Sequence, residues 1–359
     1  MTASVIDHVV FRQVRVPLDP PLQSASGQVR EMPMVLVDVT DQDGVTGSSY
    51  LLCYAPPAAA AAYVFAKGVA EAIVGGPAAP RSAAEALTRR LRLLGKSGVA
   101  AWVLGGLDLA LWDLAARRAS MSLARLLGAE PIAIPAYASL RSADPNRIAA
   151  EAAQAASAGF IAFKVKIGHG PVERDLAAID AVREGAGHDA IVMVDYNQSL
   201  TVPDAIARAG KLTDAGVAWI EEPVSADDPV GHARVAETSP IPIQIGENWQ
   251  GLREVGRNVA CFASDLAMLD AMNIGGVTGW LAAAALANSA SLPVSSHLFC
   301  EVSAHLLAAT PDRHWLEWLD VAGPILLRPL VPIGGTVTAC DLPGSGIEWD
   351  EDAILRYAI

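Results

Sequence analysis

Polar residues recur through this chain at a step that few folds can accommodate. Asp195, Glu221, Glu247, Asp270 and His297 follow the lysine pair Lys164 and Lys166. Counted from Lys166, the intervals are 29, 26, 26, 23 and 27 residues. A unit of strand, turn, helix and return loop takes roughly 25 to 30 residues, so each interval advances the chain by one βα unit. Each residue also follows an apolar run that reads as a buried strand, such as Ile191-Val192-Met193-Val194 before Asp195 and Val217-Ala218-Trp219-Ile220 before Glu221. In a (β/α)8 barrel the strand C-termini meet at one mouth, where the active sites lie. The seven residues are therefore expected in one place.

The 359 residues, 52% of them hydrophobic, suffice for a barrel of about 200 to 250 residues plus a smaller domain. Before the barrel, Val14 to Leu18 and Met34 to Val39 read as antiparallel strands, and Asp43-Gly44 is a hairpin turn signal. Residues 19–31 between them read as a loop, and the apolar residues Leu22 and Val29 favour a lid over a solvated linker. Residues 58–127 read as helical. The stretch 102–114 is so apolar that its helix is expected between two layers, with Asp108 and Asp113 structural because they fall outside the βα register. The first barrel strand is expected over 132–139, and the Pro- and Gly-rich stretch after Gly323 leaves the βα pattern.

Three carboxylates abreast on adjacent buried strands repel one another and lose hydration, and a hard divalent cation resolves both costs. Oxygen-only ligation by Asp195, Glu221 and Glu247 suits Mg2+. In Phe163-Lys164-Val165-Lys166-Ile167 the lysines share one face, expected to point into the barrel, where each should lower the other's pKa. Asp270 and His297 end consecutive strands, so the carboxylate is expected to orient the imidazole. A rival metal site from His297, Glu301 and His305 at helical spacing would leave Asp270 and the three carboxylates unexplained. Bases on two sides of a metal-bound carboxylate point to removal of an α-proton, with the enolate stabilised by the cation and a neighbouring acid.

The net charge of -13 and the lack of any Lys/Arg run exclude nucleic acid as a natural partner. No uninterrupted apolar stretch reaches membrane-spanning length, and the N-terminus lacks a signal peptide's apolar core, so no membrane partner and a cytoplasmic location are expected. The four cysteines lie far apart and read as free thiols.

The stretches FKVKIG (163–168), MVDYNQSL (193–200), WIEEP (219–223), GENW (246–249), DAMNIGGVTGW (270–280) and SSHLFCEVSAHLLAATPDRHWLEWLD (295–320) closely resemble the enolase superfamily, mandelate racemase subgroup. The resemblance implies an N-terminal α+β capping domain over 1–131 with a specificity loop at 19–31. It implies a modified (β/α)7β TIM-type barrel over 132–320, and a segment 321–359 returning to the cap. It further implies Mg2+ on Asp195, Glu221 and Glu247, and Lys166 and His297 as bases for opposite faces of the α-carbon. Asp270 would pair with His297, Lys164 and Ser139 would meet the substrate carboxylate, Glu317 would hydrogen-bond it in the enolate, and Asn197 would contact the α-hydroxyl. Leu22, Ser26, Val29 and Tyr54 would cover the distal part of the substrate. The activity implied is racemisation of a small 2-hydroxy acid, mandelate or a close aryl or vinyl analogue, by a homo-oligomer, an octamer by resemblance. The alternative is a sugar-acid dehydratase of the same subgroup; against it stands the apolar lid. A barrel that binds ligand without turnover would not need two bases, and a Schiff-base aldolase would leave the three carboxylates idle.

Overall fold

The chain opens with a strand pair that runs much further than its sequence suggests. The structure, a computed structural model, describes residues 4–24 and 27–359. Strand β1 (Ile6–Ser24) pairs antiparallel with β2 (Gly27–Asp41), which pairs with β3 (Thr46–Leu52). As the middle strand, β2 is paired along both edges, and Met32 to Val37 are all buried in succession. The stretch expected as an irregular loop is instead largely the far end of this hairpin: Leu22 opposes Val29 and Gln23 opposes Gln28. The ladder shifts register between Pro17 and Leu22, across Pro20 and Pro21, which carry no N–H to donate. Ser26 lies outside the described residues.

Helices α1 (Pro56–Ala70), α2 (Pro80–Arg90), α3 (Val99–Arg118) and α4 (Leu123–Leu126) follow, the first two opening with proline at a position whose N–H would have no partner. Helix α3 is long and apolar enough to cross a membrane, but most of it is buried inside the protein. It lies between the cap sheet, where Ser49 Oγ donates to the Gly106 carbonyl at 2.6 Å, and the barrel, where a side chain at Gly105 would collide with the Met272 carbonyl.

The barrel alternates without a break: β4 (Ala133–Ser139), α5 (Pro145–Ser157), β5 (Ala162–Lys166), α6 (Val172–Ala186), β6 (Ile191–Asp195), α7 (Val202–Leu212), β7 (Val217–Glu221), α8 (Pro229–Thr238), β8 (Ile243–Ile245), α9 (Leu252–Ala260), β9 (Leu266–Asp270), α10 (Gly276–Ser289), β10 (Val294–His297), α11 (Cys300–Ala308) and β11 (Leu316–Trp318). The strands are parallel in the order β10-β9-β8-β7-β6-β5-β4-β11, and β10 meets β11 through Ser296 N–H donating to Trp315 O at 3.0 Å. Only a three-residue 3-10 turn, Gly323–Ile325, and no α-helix follows β11 before the chain pairs β12 (Thr336–Thr338) against the start of β4, so the barrel is a (β/α)7β one. The last helix, α12 (Glu351–Tyr357), reaches β1 through Arg12 and Glu351 at 2.5 Å.

Alternation sorts the strand residues into two sets. Phe163, Val165, Val192, Val194 and Ile220 face outward into the main core under the helices. Tyr137, Ala162, Met193, Trp219 and Met268 form a separate inner cluster, the floor of the barrel. Two residues on from these floor positions stand Ser139, Lys164, Asp195, Glu221 and Asp270, so the pleat itself sets polar groups on an apolar floor.

Asp108 and Asp113 act as clamps. Asp108 accepts from Thr278 N–H at 2.9 Å and Thr278 Oγ at 2.6 Å, tying α3 to α10. Asp113 is fully buried and accepts from Ser48 N–H, Ser345 N–H and hydroxyl, and Arg117, joining the cap sheet, the C-terminal segment and α3. Asp113→Ala strands those donors. It is expected to cost about 3 kcal/mol in urea unfolding; a loss below about 1 kcal/mol would contradict this role.

Candidate active site

Lys164 is 1% exposed, and its ammonium lies 2.6 Å from Glu221 and 2.8 Å from Glu317. It also sits 5.5 Å above the centre of the Tyr137 ring. Burial pulls its pKa down, but Glu221 and Glu317 outweigh that and hold it well above the usual lysine range. Lys166, one pleat nearer the mouth, lies 3.1 Å from Asp195. The depression expected between the lysines is present at Lys166 and is overridden. Burial and Lys164 lower it, while Asp195 on the neighbouring strand, with Glu317 and Glu247, together raise it above the usual lysine range.

Asp195 is held below the ordinary carboxylate range. Burial acts against this, but Lys166, Lys164 and the Asn197 N–H prevail. Asn197 caps it closely, its backbone donating to Oδ1 at 2.7 Å and its side-chain amide to Oδ2 at 2.8 Å. Glu221 goes the other way and is pushed well above its usual range, first by burial and, against Lys164, by Asp195, Glu247 and Glu317. Its Oε2 is buried and has no hydrogen-bond partner among the described residues. Glu247 stands two residues past the end of β8, with Asn273 donating to its carbonyl at 2.9 Å.

On the opposite side His297 Nδ1 lies 2.8 Å from Asp270 Oδ2. The other oxygen of Asp270 accepts the Met272 and Asn273 N–H groups, so the carboxylate is fixed and the proton of the shared bond belongs to Nδ1. Nε2 then faces the mouth, 3.5 Å from Glu247 and 3.9 Å from Glu317. Burial lowers the imidazole's pKa, but Glu247, Asp270 and Glu317 raise it to about 10. Glu317 is itself drawn down to about 2: burial opposes this, and Lys164, His297 and Lys166 overcome it. As it stands Glu317 is a carboxylate that accepts, from Leu298 N–H at 3.1 Å among others, and the acid expected beside the substrate is ionised by its lysine partner.

The side chains of Lys166 (11% exposed), His297 (12%) and Glu247 (14%) open toward the mouth, while those of Lys164, Asp195, Glu221, Asp270 and Glu317 are sealed. The structure thus gathers the metal, base and carboxylate candidates of β5 to β11 into one cluster. Ser139 sits in register beside Lys164, and its buried hydroxyl has no partner among the described residues. Tyr54, at φ 54°, leaves 41% of its surface exposed, while desolvation of its hydroxyl and then the charges of Asp270, Glu247 and Glu317 raise it well above the usual phenol range. Leu22 and Val29 reach the barrel through their hairpin, where Gln23 N–H donates to the Arg141 carbonyl at 2.7 Å. The rival helical site does not form: Glu301 takes the Tyr50 hydroxyl and His305 the Ala124 N–H.

Sequence reasoning gave no site role to Glu222, Asn248 or Tyr137. Glu222 is buried at φ 38° and bound by Asn248 at 2.9 and 3.0 Å. The Glu221-Glu222 doublet after a buried strand was the signal for the first, and the position of Tyr137 two residues before Ser139 on one face was the signal for the last.

Six carboxylates, Asp195, Glu221, Glu222, Glu247, Asp270 and Glu317, surround three basic groups, Lys164, Lys166 and His297. Among the described residues no three acidic, His or Cys side chains converge as a ready metal cage. The lysines and histidine hold the carboxylate oxygens instead. The excess negative charge and the orphaned Glu221 oxygen nonetheless fit a divalent cation on Asp195, Glu221 and Glu247.

Residues 6–128 match the family described as mandelate racemase / muconate lactonizing enzyme, N-terminal domain, and residues 147–353 match the enolase C-terminal domain-like family. A crystal structure of an enolase from Bradyrhizobium complexed with magnesium and mandelic acid is 41% identical, with a TM-score of 0.95, covering 100% of this chain and 99% of that one. The 3,6-anhydro-alpha-L-galactonate cycloisomerase of Streptomyces coelicolor is 31% identical over 99% of this chain and 100% of its own length. The L-talarate/galactarate dehydratase of Salmonella typhimurium is 29% identical over 98% and 91%.

Proposed function

The chain belongs to the mandelate racemase / muconate lactonizing enzyme family of the enolase superfamily, and from that premise we propose that it is a Mg2+-dependent racemase of a small 2-hydroxy acid, mandelate or a close aryl or vinyl analogue. The observation that carries this reading is the placing of two bases. Lys166 on β5 and His297 on β10 both open into the mouth from opposite flanks of the ligand trio. The mandelic acid held by the Bradyrhizobium structure favours an aryl substrate.

Asp195, Glu221 and Glu247 would hold the cation. Bound there, Mg2+ supplies positive charge that polarises the substrate carboxylate and offsets the pull of Asp195 on Lys166. Lys164 meets the substrate carboxylate from below, with the Ser139 hydroxyl beside it. That carboxylate brings negative charge toward Glu317 and shifts it toward its acid form, in which it donates a hydrogen bond. Asn197 meets the α-hydroxyl. Lys166 Nζ takes the α-proton of one enantiomer, the C–H electron pair moves into the carboxylate, and His297 Nε2 returns a proton to the opposite face. Asp270 keeps the proton of Nδ1 in place throughout and stabilises the charged imidazole. Leu22, Val29 and Tyr54 would cover the aryl end.

The second reading, a sugar-acid dehydratase, is favoured by the full-length similarity to the Salmonella dehydratase. One experiment separates the two. Single enantiomers of mandelate in D2O with Mg2+ should lose optical rotation and gain α-deuterium together. Inert mandelate alongside loss of water from a sugar acid would favour the dehydratase.

A further inference from the structure

We infer that Arg141 is a positioning residue that ties the tip of the β1–β2 hairpin down onto the barrel mouth. The inference rests on the reading of that mouth as the substrate site. Arg141 lies two residues past Ser139, where β4 ends. Its guanidinium donates to the Pro20 carbonyl at 3.2 Å and to the Asp320 carbonyl at 2.6 Å. Its own carbonyl accepts the Gln23 N–H at 2.7 Å. One residue therefore links three segments that bear on the mouth: the strand end carrying Ser139, the turn three residues beyond Glu317, and the hairpin, held within its kink at Pro20 and just past it at Gln23.

The kink is where such a tie is needed. Between Pro17 and Leu22 the ladder loses register, so the tip beyond it is joined to the rest of its sheet less firmly than a continuous hairpin would be. The clamp itself is held rigidly, since Glu151 accepts the Arg141 N–H at 2.6 Å and the Ser142 N–H at 3.3 Å. A crevice of about 270 Å³, lined by Pro20, Ser139, Arg141, Glu151, Trp318 and Asp320 among others, lies beside it, between β4 and β11, where no α-helix follows β11. Burial lowers the guanidinium's pKa, opposed by Asp320, Glu151 and Asp19, which marks a partly desolvated charge. Arginine suits the place because its planar fork serves two carbonyls at once, whereas lysine presents a single ammonium.

The test uses R141A and R141K with two readouts. The first is limited trypsin cleavage at Arg30, an exposed residue of the hairpin, followed by mass. R141A should be cut there on the order of tenfold faster than the parent, with R141K between. The second is steady-state racemisation: KM should rise about tenfold in R141A with kcat changed by less than about threefold, and millimolar guanidinium should restore part of the loss. Arg30 cleavage at the parent rate in R141A overturns the clamp whatever the turnover, as does an equal fall in kcat with unchanged KM. Faster cleavage in a protein that never turns over mandelate keeps the clamp and removes the racemase reading. Should R141A fail to fold, R141K carries the same comparison.

Discussion

Glu221→Gln is expected to lower kcat/KM on a 2-hydroxy acid by about 10^3-fold or more, and EDTA is expected to abolish turnover of the parent enzyme until Mg2+ is restored. The size follows from what the cation does: charge stabilisation of several kcal/mol in the transition state corresponds to roughly that factor in rate. Glu221 is the sharpest place to test it. Its Oε1 is committed to Lys164 at 2.6 Å, while its Oε2 is buried with no partner and is pressed by Asp195 and Glu247. The amide keeps the shape and one acceptor oxygen but removes the charge that a hard cation needs. Mg2+ titration by calorimetry should show the affinity falling together with activity. Full activity in a metal-free preparation, or Glu221→Gln binding Mg2+ as tightly as the parent, would contradict the ligand assignment.

The barrel was legible because two periods agree in the sequence. The interval between polar strand ends matched one βα unit, and the alternation in Phe163 to Ile167 assigned the lysines to the inner face, where Lys164 and Lys166 are found. Asp108 and Asp113 were read as structural from their register alone, and both are clamps between layers. What escaped was set by contacts between distant segments. Residues 19–31, with Pro20 and Pro21 among them, read as a loop, whereas pairing of Leu22 with Val29 continues the hairpin past the prolines. The lysine pair was judged by its own mutual repulsion, and the stronger influence on Lys166 came from Asp195, across a strand boundary that spacing does not weigh. Arg141 carries no signal in the sequence, because its partners are backbone carbonyls, which leave no mark in composition.

Glu317 and His297 show how far the site's electrostatics depend on what enters it. Glu317 is drawn down to about 2 by Lys164, and His297 is raised to about 10 by Glu247, Asp270 and Glu317. Glu317 is therefore ionised where its donating role needs the acid form, and His297 is protonated, which suits returning a proton and opposes taking one. Mg2+ and a substrate carboxylate change the charges around both, which is why substrate truncation should cost kcat as well as KM.

The most direct measurement follows α-deuterium uptake and optical rotation for each enantiomer of mandelate in D2O, using the His297→Asn enzyme with Mg2+. If Lys166 and His297 serve opposite faces, removing the histidine stops racemisation, because inversion needs one group to take the proton and the other to return it. Lys166 still exchanges the α-proton of the enantiomer it faces, at a rate lower by on the order of 10^2 to 10^4 if His297 also assists as an acid. Deuterium should thus enter one enantiomer without loss of rotation while the other stays inert, and a Lys166 variant should show the mirror-image selectivity. Equal exchange of both enantiomers by His297→Asn, or racemisation at the parent rate, would contradict the two-base account.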